Sequence, residues 1–212
     1  MTDLAGLIDR LAGELRDAAN AEWSEAELTA HLRRALGEVG AAWPRRAFGV
    51  IATVEGERSY ALDELDGLVA ITRIIYPYDP AAPNATVCGV PWRLSADGTL
   101  ALIVEAPPKG DGADDIAVWY LARHAIEDLD GATATTLPPE AEGIVLDGAA
   151  GYAVEQLALS LVGAVTVDDA PARYAAWAAA RLARYRQALV LAAANDALRA
   201  PEDARIAWGG EV

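Results

Sequence analysis

The stretch that decides the fold runs from Thr136 to Asn195 and reads TLPPEAEGIVLDGAAGYAVEQLALSLVG, then AVTVDDAP, then ARYAAWAAARLARYRQALVLAAAN. It predicts two long helices joined by a tight turn. Thr136 is expected to cap the first helix, and Pro138 and Pro139 fit a first turn, where amide donors have no helical partner.

The two helices of this stretch differ in how their apolar residues are spaced. From residue 148 to residue 165 the first helix is apolar nearly all round, which predicts burial on most sides. Its small residues allow another backbone to come close, and they are Gly148, Ala149, Gly151 and Ala153. The second helix carries apolar residues at spacings of three and four, which predicts one buried face. These are Tyr174, Trp177, Ala178, Leu182, Tyr185, Leu189 and Ala192.

Two shorter helices are predicted at the start of the chain. The first has an apolar stripe made of Leu4, Leu7, Ile8, Leu11 and Leu15. The second begins at Ser24, which forms a capping box with Glu27 three residues later. Its apolar face is made of Leu28, Leu32, Ala35, Leu36 and Val39.

Between Trp43 and Asp130 the apolar period changes from helical to strand-like. The predicted strands are Ala47–Glu55, Ser59–Leu62, Leu68–Tyr76, Trp92–Leu94, Thr99–Glu105 and Ile116–His124. Asp97-Gly98, between two apolar runs, is the clearest hairpin turn. The expected fold is α+β: a helical core of two N-terminal and two long C-terminal helices, with an inserted antiparallel β subdomain. The expected segments are 1–42, 43–135, 136–196 and an extended tail, 197–212.

The helical pair also carries a family resemblance. Its TLP start, its GAA-x-YA helix and its Y-x-x-W-x-x-x-R-x-x-x-Y helix resemble the C-terminal helices of head–tail adaptor proteins of tailed bacteriophages and gene transfer agents. Tyr76-Pro77 at the end of one strand, and the Y-x-x-x-H of Tyr120–His124, resemble adaptors that carry a β embellishment. The resemblance covers roughly residues 24–196 in order.

This resemblance implies a structural role and no enzymatic activity. The implied assembly is a ring, expected to be a dodecamer, beneath the portal protein, with a tail-completion or stopper protein below it. The implied location is the virion neck, assembled in the cytoplasm of a bacterial host. Such a ring extends the DNA channel, seals the junction and presents a surface to the tail. No catalytic residue, cofactor, metal or membrane contact is expected.

Net charge narrows the partners that the chain can have. A formal net charge of −15 argues against binding nucleic acid by neutralising phosphates, so DNA is expected to pass without specific binding. Residues 173–195 nevertheless hold four arginines and no acid. Arg173, Arg181 and Arg184 are therefore candidates for a subunit interface with an acidic neighbouring copy, and the alternative is a solvated basic face.

The tail beyond the last helix reads LRAPEDARIAWGGEV. Pro201 ends the helix, and the apolar residues that follow have no predicted element to bury them. One interpretation is a disordered tail. The other is a portal-docking peptide made of Arg205, Ile206 and Trp208, with the tryptophan as anchor.

Residues that could carry other chemistry form no recognisable site. His31, His124 and Cys88 lack the spacing of a metal or nucleophile site, and ordinary structural roles are expected for them. The pair Asp114-Asp115 is expected in a solvated turn. Trp43, Trp92 and Trp119 leave one alternative function open: a non-viral β-module that binds carbohydrate or a protein ligand. Core or subunit contacts are the more common role of such tryptophans.

Overall fold

The computed structural model describes residues 2–19, 21–82, 90–162 and 169–199. The elements in chain order are α1 Leu4–Leu15, α2 Glu25–Ala42, β1 Arg45–Ile51, β2 Ser59–Tyr60, β3 Leu68–Tyr78, β4 Trp92–Leu94, β5 Leu100–Leu102, β6 Asp115–Ala122, α3 Pro139–Ser160 and α4 Ala170–Arg199. The predicted α+β class with a helical core is confirmed.

The chain divides into two compact units. The helical unit holds the described residues of Met1–Pro44 and His124–Ala200, and the β unit holds those of Arg45–Arg123. Residues 124–135, which the sequence pattern grouped with the strands, lie with the helices.

Local capping decides where the helices of the first unit begin. The predicted capping box of α2 is confirmed: the Glu27 amide donates to Ser24 Oγ, and the Ser24 amide donates to Glu27 Oε2 at 2.8 Å. The prediction that Thr136 caps α3 is wrong, because Pro138 occupies that position. The Thr136 hydroxyl instead accepts a hydrogen bond from the Ala125 amide at 2.8 Å.

The core of the helical unit is built from buried residues of all four helices, and α3 and α4 are in close contact within it. A Cβ atom added to Gly148 would lie 2.8 Å from the Tyr185 ring, and one added to Gly151 would lie 2.7 Å from Leu182. The two glycines therefore leave room for these side chains against the α3 backbone. Tyr185 is fully buried, and its hydroxyl donates to the carbonyl of Ala35 in α2 at 2.9 Å. One aromatic side chain thus joins three helices.

The β unit is built from two small antiparallel sheets, with strand orders β1-β6-β3 and β2-β5-β4. Their buried residues form one core, which includes Leu100, Ile116, Val118 and Tyr120. The predicted turn at Asp97-Gly98 is confirmed: the Ser95 amide donates to Thr99 O at 2.9 Å, and Gly98 has a φ of 82°. Several strands are shorter than predicted. β2 pairs with β5 over only two residues, and β4 pairs with β5 over three.

The close contact of α3 and α4 predicts opposite effects for two glycine substitutions in α3. Gly151→Ala should lower the unfolding free energy by about 1–2 kcal/mol, because the steric cost of overpacking Leu182 outweighs the gain in helix propensity. Gly143→Ala should raise it by up to about 1 kcal/mol, since no other group lies near that position. Thermal and urea denaturation check both values, and two changes of the same sign would contradict the packing.

The β unit is inserted between Pro44 and His124 of the helical unit, and we predict that it can be removed. The carbonyl oxygen of Trp43 lies 3.1 Å from His124 Nε2. The chain therefore leaves the helical unit and re-enters it at two points that are close together. Replacing residues 45–123 by a short Gly-Ser linker should leave a soluble protein with a cooperative helical melt. Circular dichroism measures this outcome, and a product without helical signal would show that the helices depend on the strands.

Candidate functional site

The last helix, α4, shows two adjacent stripes of residues. The first is buried in the helical core and contains Ala178, Leu182, Tyr185 and Leu189. The second stripe, here called the outer stripe, repeats at spacings of three and four along the whole helix. It contains Tyr174, Trp177, Arg181, Arg184, Ala188, Leu191, Asn195 and Leu198. Trp177 is 40% exposed, Leu191 56% and Leu198 84%, so both ends of the outer stripe present apolar surface.

Two of the three predicted interface arginines have acidic partners inside the chain. Arg181 Nε lies 2.9 Å from Asp147 Oδ1 in α3, and Arg181 also pairs with Glu14 of α1. Arg184 Nε donates to Asp147 Oδ2 at 2.8 Å. This hydrogen bond and the charge of Asp147 raise the pKa of Arg184. Asp147 therefore supplies an acidic partner for both arginines within the chain, and their contact with a neighbouring copy stays a prediction.

Arg173, the third predicted arginine, is exposed and lies beside a groove at the first end of the outer stripe. The groove has a volume of about 940 Å³, and its aromatic wall contains Trp23, Tyr174 and Trp177. Trp23 is buried, and its indole N–H donates to the carbonyl of Ala153 at 3.3 Å. The Arg181 guanidinium carbon lies 5.2 Å from the Trp177 ring centroid, within the range of a cation–π contact.

The acidic residues at this groove are largely engaged. The Asp17 carboxylate accepts hydrogen bonds from the amides of Ala21, Glu22 and Trp23 at 2.8–3.0 Å. Burial works to raise the pKa of Asp17, but these three amides outweigh it and hold the pKa below its usual value. Asp17 is thus bound to the backbone and Glu14 to Arg181, while Arg16, Glu22 and Arg173 also line the groove beside its aromatic residues.

A second exposed cluster lies on the β unit. The Phe48 ring centroid is 4.9 Å from that of Trp119 and 6.1 Å from that of Tyr78, and the Arg73 guanidinium carbon is 5.4 Å from the Trp119 centroid. Phe48 is 48% exposed. The register explains the cluster, because Phe48 and Arg73 both face Trp119 from the strands on either side of β6.

The three tryptophans proposed as a sugar-binding face are not brought together as a set. Trp92 packs against the core of the β unit, and Trp119 belongs to the exposed cluster. Trp43 belongs to the helical unit, where its ring lies 6.2 Å from that of His124.

The two histidines singled out in the sequence, His31 and His124, lie in surroundings typical of structural residues. His124 Nδ1 lies 3.1 Å from Thr136 O, and burial lowers the pKa of His31. Cys88 lies outside the described residues. Within the described ranges, no group of three or more His, Cys, Asp and Glu side chains could hold a metal ion. Among those same residues, no helix is long and apolar enough to cross a membrane.

Asp114 and Asp115 lie in surroundings that differ from those predicted from the sequence. The solvated turn predicted for Asp114-Asp115 is wrong, because both side chains are buried. Asp114 accepts hydrogen bonds from the Thr53 hydroxyl at 2.7 Å and the Lys109 amide at 2.6 Å. Burial works to raise its pKa, but these hydrogen bonds outweigh it and the pKa lies below the usual value. This carboxylate holds a loop in place.

The pairing of Asp147 predicts a loss of stability when its charge is removed. Asp147→Asn should lower the unfolding free energy by about 1–2 kcal/mol, because Arg181 and Arg184 lose a shared carboxylate. Arg33→Gln is the matched control, since it breaks the more exposed pair with Asp130 and should cost about 0–1 kcal/mol. Urea denaturation compares them, and equal losses would mean that Asp147 holds α4 no better than a surface pair.

Comparisons with known proteins give the following findings. No family model and no curated protein matches the chain. A chain in the neck of an empty gene transfer agent particle is 19% identical, with a TM-score of 0.32, and the match covers 68% of this chain and 75% of that one. A chain in the virion of a native gene transfer agent particle is 16% identical, with a TM-score of 0.32 and coverage of 79% and 82%. A chain in the neck of a native particle is 18% identical, with a TM-score of 0.31 and coverage of 77% and 86%. These TM-scores are low, and the fold described above rests on the packing of the chain itself.

Proposed function

We propose that this chain is a structural head–tail adaptor of a phage-like particle. Copies of it form a ring, expected to be a dodecamer, beneath the portal protein in the virion neck. The ring extends the DNA channel and provides the surface to which a tail-completion or stopper protein attaches. It is assembled in the cytoplasm of a bacterial host, and it has no catalytic activity and no cofactor.

The observation that carries this proposal is the outer stripe of α4. A helix of 30 residues buries one face in its own core and leaves Trp177, Leu191 and Leu198 exposed beside it. Exposed apolar residues at both ends of one helix stripe favour a protein–protein contact there. The helical pair resembles adaptor sequences, and this resemblance indicates that the assembly needing such a contact is a ring of adaptor subunits.

The acidic balance of the chain supports a role around a DNA channel. With a net charge of −15, the summed field of each copy repels phosphate groups. A ring of such copies lets DNA slide without binding it. The proposal therefore treats DNA as cargo that passes through, and the portal and stopper proteins as the partners that bind.

The proposed portal-docking residues, Arg205, Ile206 and Trp208, lie outside the described residues. Burying a tryptophan from water contributes roughly 2–3 kcal/mol, and ordering a few residues costs a comparable amount. One such segment would thus bind weakly. Many segments on one ring raise the overall affinity by orders of magnitude, because each later contact forms within an already bound assembly.

Removal of the last residues tests this proposal directly. Truncation after Arg199 should abolish attachment to DNA-filled heads and yield heads that leak DNA or lack tails, while the melting temperature of the free protein stays nearly unchanged. Trp208→Ala in the full chain should show the same defect more weakly. Occupancy on purified heads, counted by electron microscopy, is the measurement. Normal occupancy of the truncated protein would place the portal contact elsewhere.

The aromatic cluster of the β unit favours one second candidate function, binding of a carbohydrate or protein ligand outside any virion. Exposed Phe48 and half-buried Trp119, with Arg73 beside them, form a surface that could stack on a ligand. A glycan array and a native mass measurement separate the two functions. Glycan binding that Trp119→Ala removes, by a protein that forms no ring with a portal, would favour this candidate.

A further inference from the structure

The sheet of β1, β6 and β3 has one face turned away from the core of the β unit. Ile51, Val118 and Tyr120 belong to that core, and side chains alternate between the two faces along each strand. The register therefore places a second set of residues together on the opposite face, here called the aromatic face. It is defined by Arg46, Phe48, Arg73, Tyr78, Trp119 and Leu121.

The composition of the aromatic face is unusual for its position. The solvated face of a half-buried antiparallel sheet ordinarily carries polar side chains. Here Phe48 is 48% exposed, and its ring centroid lies 4.9 Å from that of Trp119 and 6.1 Å from that of Tyr78. Exposed aromatic residues that are grouped in this way favour a binding surface.

The exposed charges that these strands place on the aromatic face are positive. Arg73 lies beside Trp119, and none of the salt bridges among the described residues involves it. Arg46 is exposed opposite Leu121 in the register. Asp115 is the single acidic residue of the three strands, and it is buried and accepts a hydrogen bond from the Thr53 amide at 3.1 Å. A partner of this face therefore combines aromatic or apolar groups with negative charge.

A segment with this composition follows α4 in the same chain. Residues 201–212 read PEDARIAWGGEV and lie outside the described residues. They hold three acidic residues and one arginine, a net charge of −2, together with the large apolar side chains of Ile206 and Trp208. The nine residues from Arg199 to Trp208 can span up to about 30 Å. Because the segment is tethered, it acts at a high effective concentration, and a weak contact is enough to hold it.

We propose that residues 201–212 dock on the aromatic face, with Trp208 against Phe48 and Trp119 and the acids of the segment toward the two arginines. The same tryptophan is the proposed portal anchor, so it has two alternative sites. It occupies the aromatic face in the free protein and the portal on a filled head. The docking itself does not depend on the adaptor role, whereas the alternation between the two sites rests on the proposed function.

Cysteine trapping in the full chain tests the docking. In a Cys88→Ser background, Gly209→Cys stands next to the anchor, and Ala70→Cys stands on the aromatic face opposite Leu121, at an exposed position. This pair leaves every aromatic residue of the contact in place. It should form a disulfide in a glutathione buffer. Non-reducing electrophoresis with mass spectrometry measures the bridged fraction and shows which copy supplies the segment, and a bridge within one chain or between two chains supports the docking.

The matched control is Ser59→Cys with Gly209→Cys, because Ser59 is equally exposed but lies in β2 of the other sheet. The pair at residue 70 should bridge at least about tenfold more than this control. Trp208→Ala should remove most of that preference, since it deletes the anchor and leaves the β unit unchanged. Equal bridging at residues 70 and 59, or a preference that survives Trp208→Ala, would overturn the docking.

Single-stranded nucleic acid is the other partner that aromatic residues beside arginines accept. The net charge of −15 disfavours it, so a fluorescein-labelled dT12 oligonucleotide should not bind the full chain. Oligonucleotide binding that Phe48→Ala removes would assign the face to nucleic acid and overturn the docking.

Head attachment separates this proposal from the adaptor role. Protein that joins DNA-filled heads normally but shows no preference for residue 70 would overturn the docking and leave the adaptor role standing. Unmodified protein that never joins heads would overturn the adaptor role, while a preference for residue 70 would still support the docking.

Discussion

The contact between the backbone of α3 and the side chains of Tyr185 and Leu182 sets the geometry of the helical unit. Gly148 and Gly151 leave no Cβ atoms in the way, so α4 lies close along α3 in one register. Overpacking a native interior costs energy in the same way as leaving a hole in it, so this register has little freedom to slide. The direction of the outer stripe and the position of Asp147 beside two arginines both follow from it.

Polar groups also fix the position of α2 against α3 and α4. The Tyr152 hydroxyl of α3 donates to the Glu38 carboxylate of α2, with oxygen–oxygen distances of 2.6 and 2.8 Å. The Arg34 guanidinium carbon lies 3.6 Å from the centroid of the Tyr152 ring. Burial first, and then the bond to Glu38, raise the pKa of Tyr152 to about 12, so the phenol keeps its proton as a donor at neutral pH. Together with the Tyr185 hydroxyl bond to Ala35, this network orients α2 against the hairpin of α3 and α4.

Sequence reasoning succeeded where the deciding chemistry is local. The capping box at Ser24 and Glu27 and the turn at Asp97-Gly98 each depend on residues within a few positions of one another. The burial predicted for the stretch that starts at residue 148 holds as far as residue 154, but Leu159 and Val162 are 68% and 72% exposed. Sequence reasoning failed for Thr136 and Asp114, because their hydrogen-bond partners come from other parts of the chain.

The exposed surfaces were only partly predictable, for a related reason. Asp147 meets Arg181 and Arg184 only after the hairpin has closed. Phe48 meets Trp119 only because the strand order places β6 between β1 and β3. A single sequence holds no signal for such pairings beyond the presence of opposite charges or aromatic residues. Arg181 and Arg184 have acidic partners in their own chain, and a role of the α4 arginines in a subunit interface stays a prediction.

Asp147 also changes how the surface of α4 should respond to salt. Unpaired surface charges act over a screening length of about 10 Å at 0.1 M ionic strength, and contacts that depend on them weaken as salt rises. The middle of the outer stripe carries its counter-charge within hydrogen-bond distance, where added ions compete poorly. Apolar burial at the two ends is not screened by ions at all. A contact made through this surface would hold at similar strength in dilute buffer and in concentrated salt.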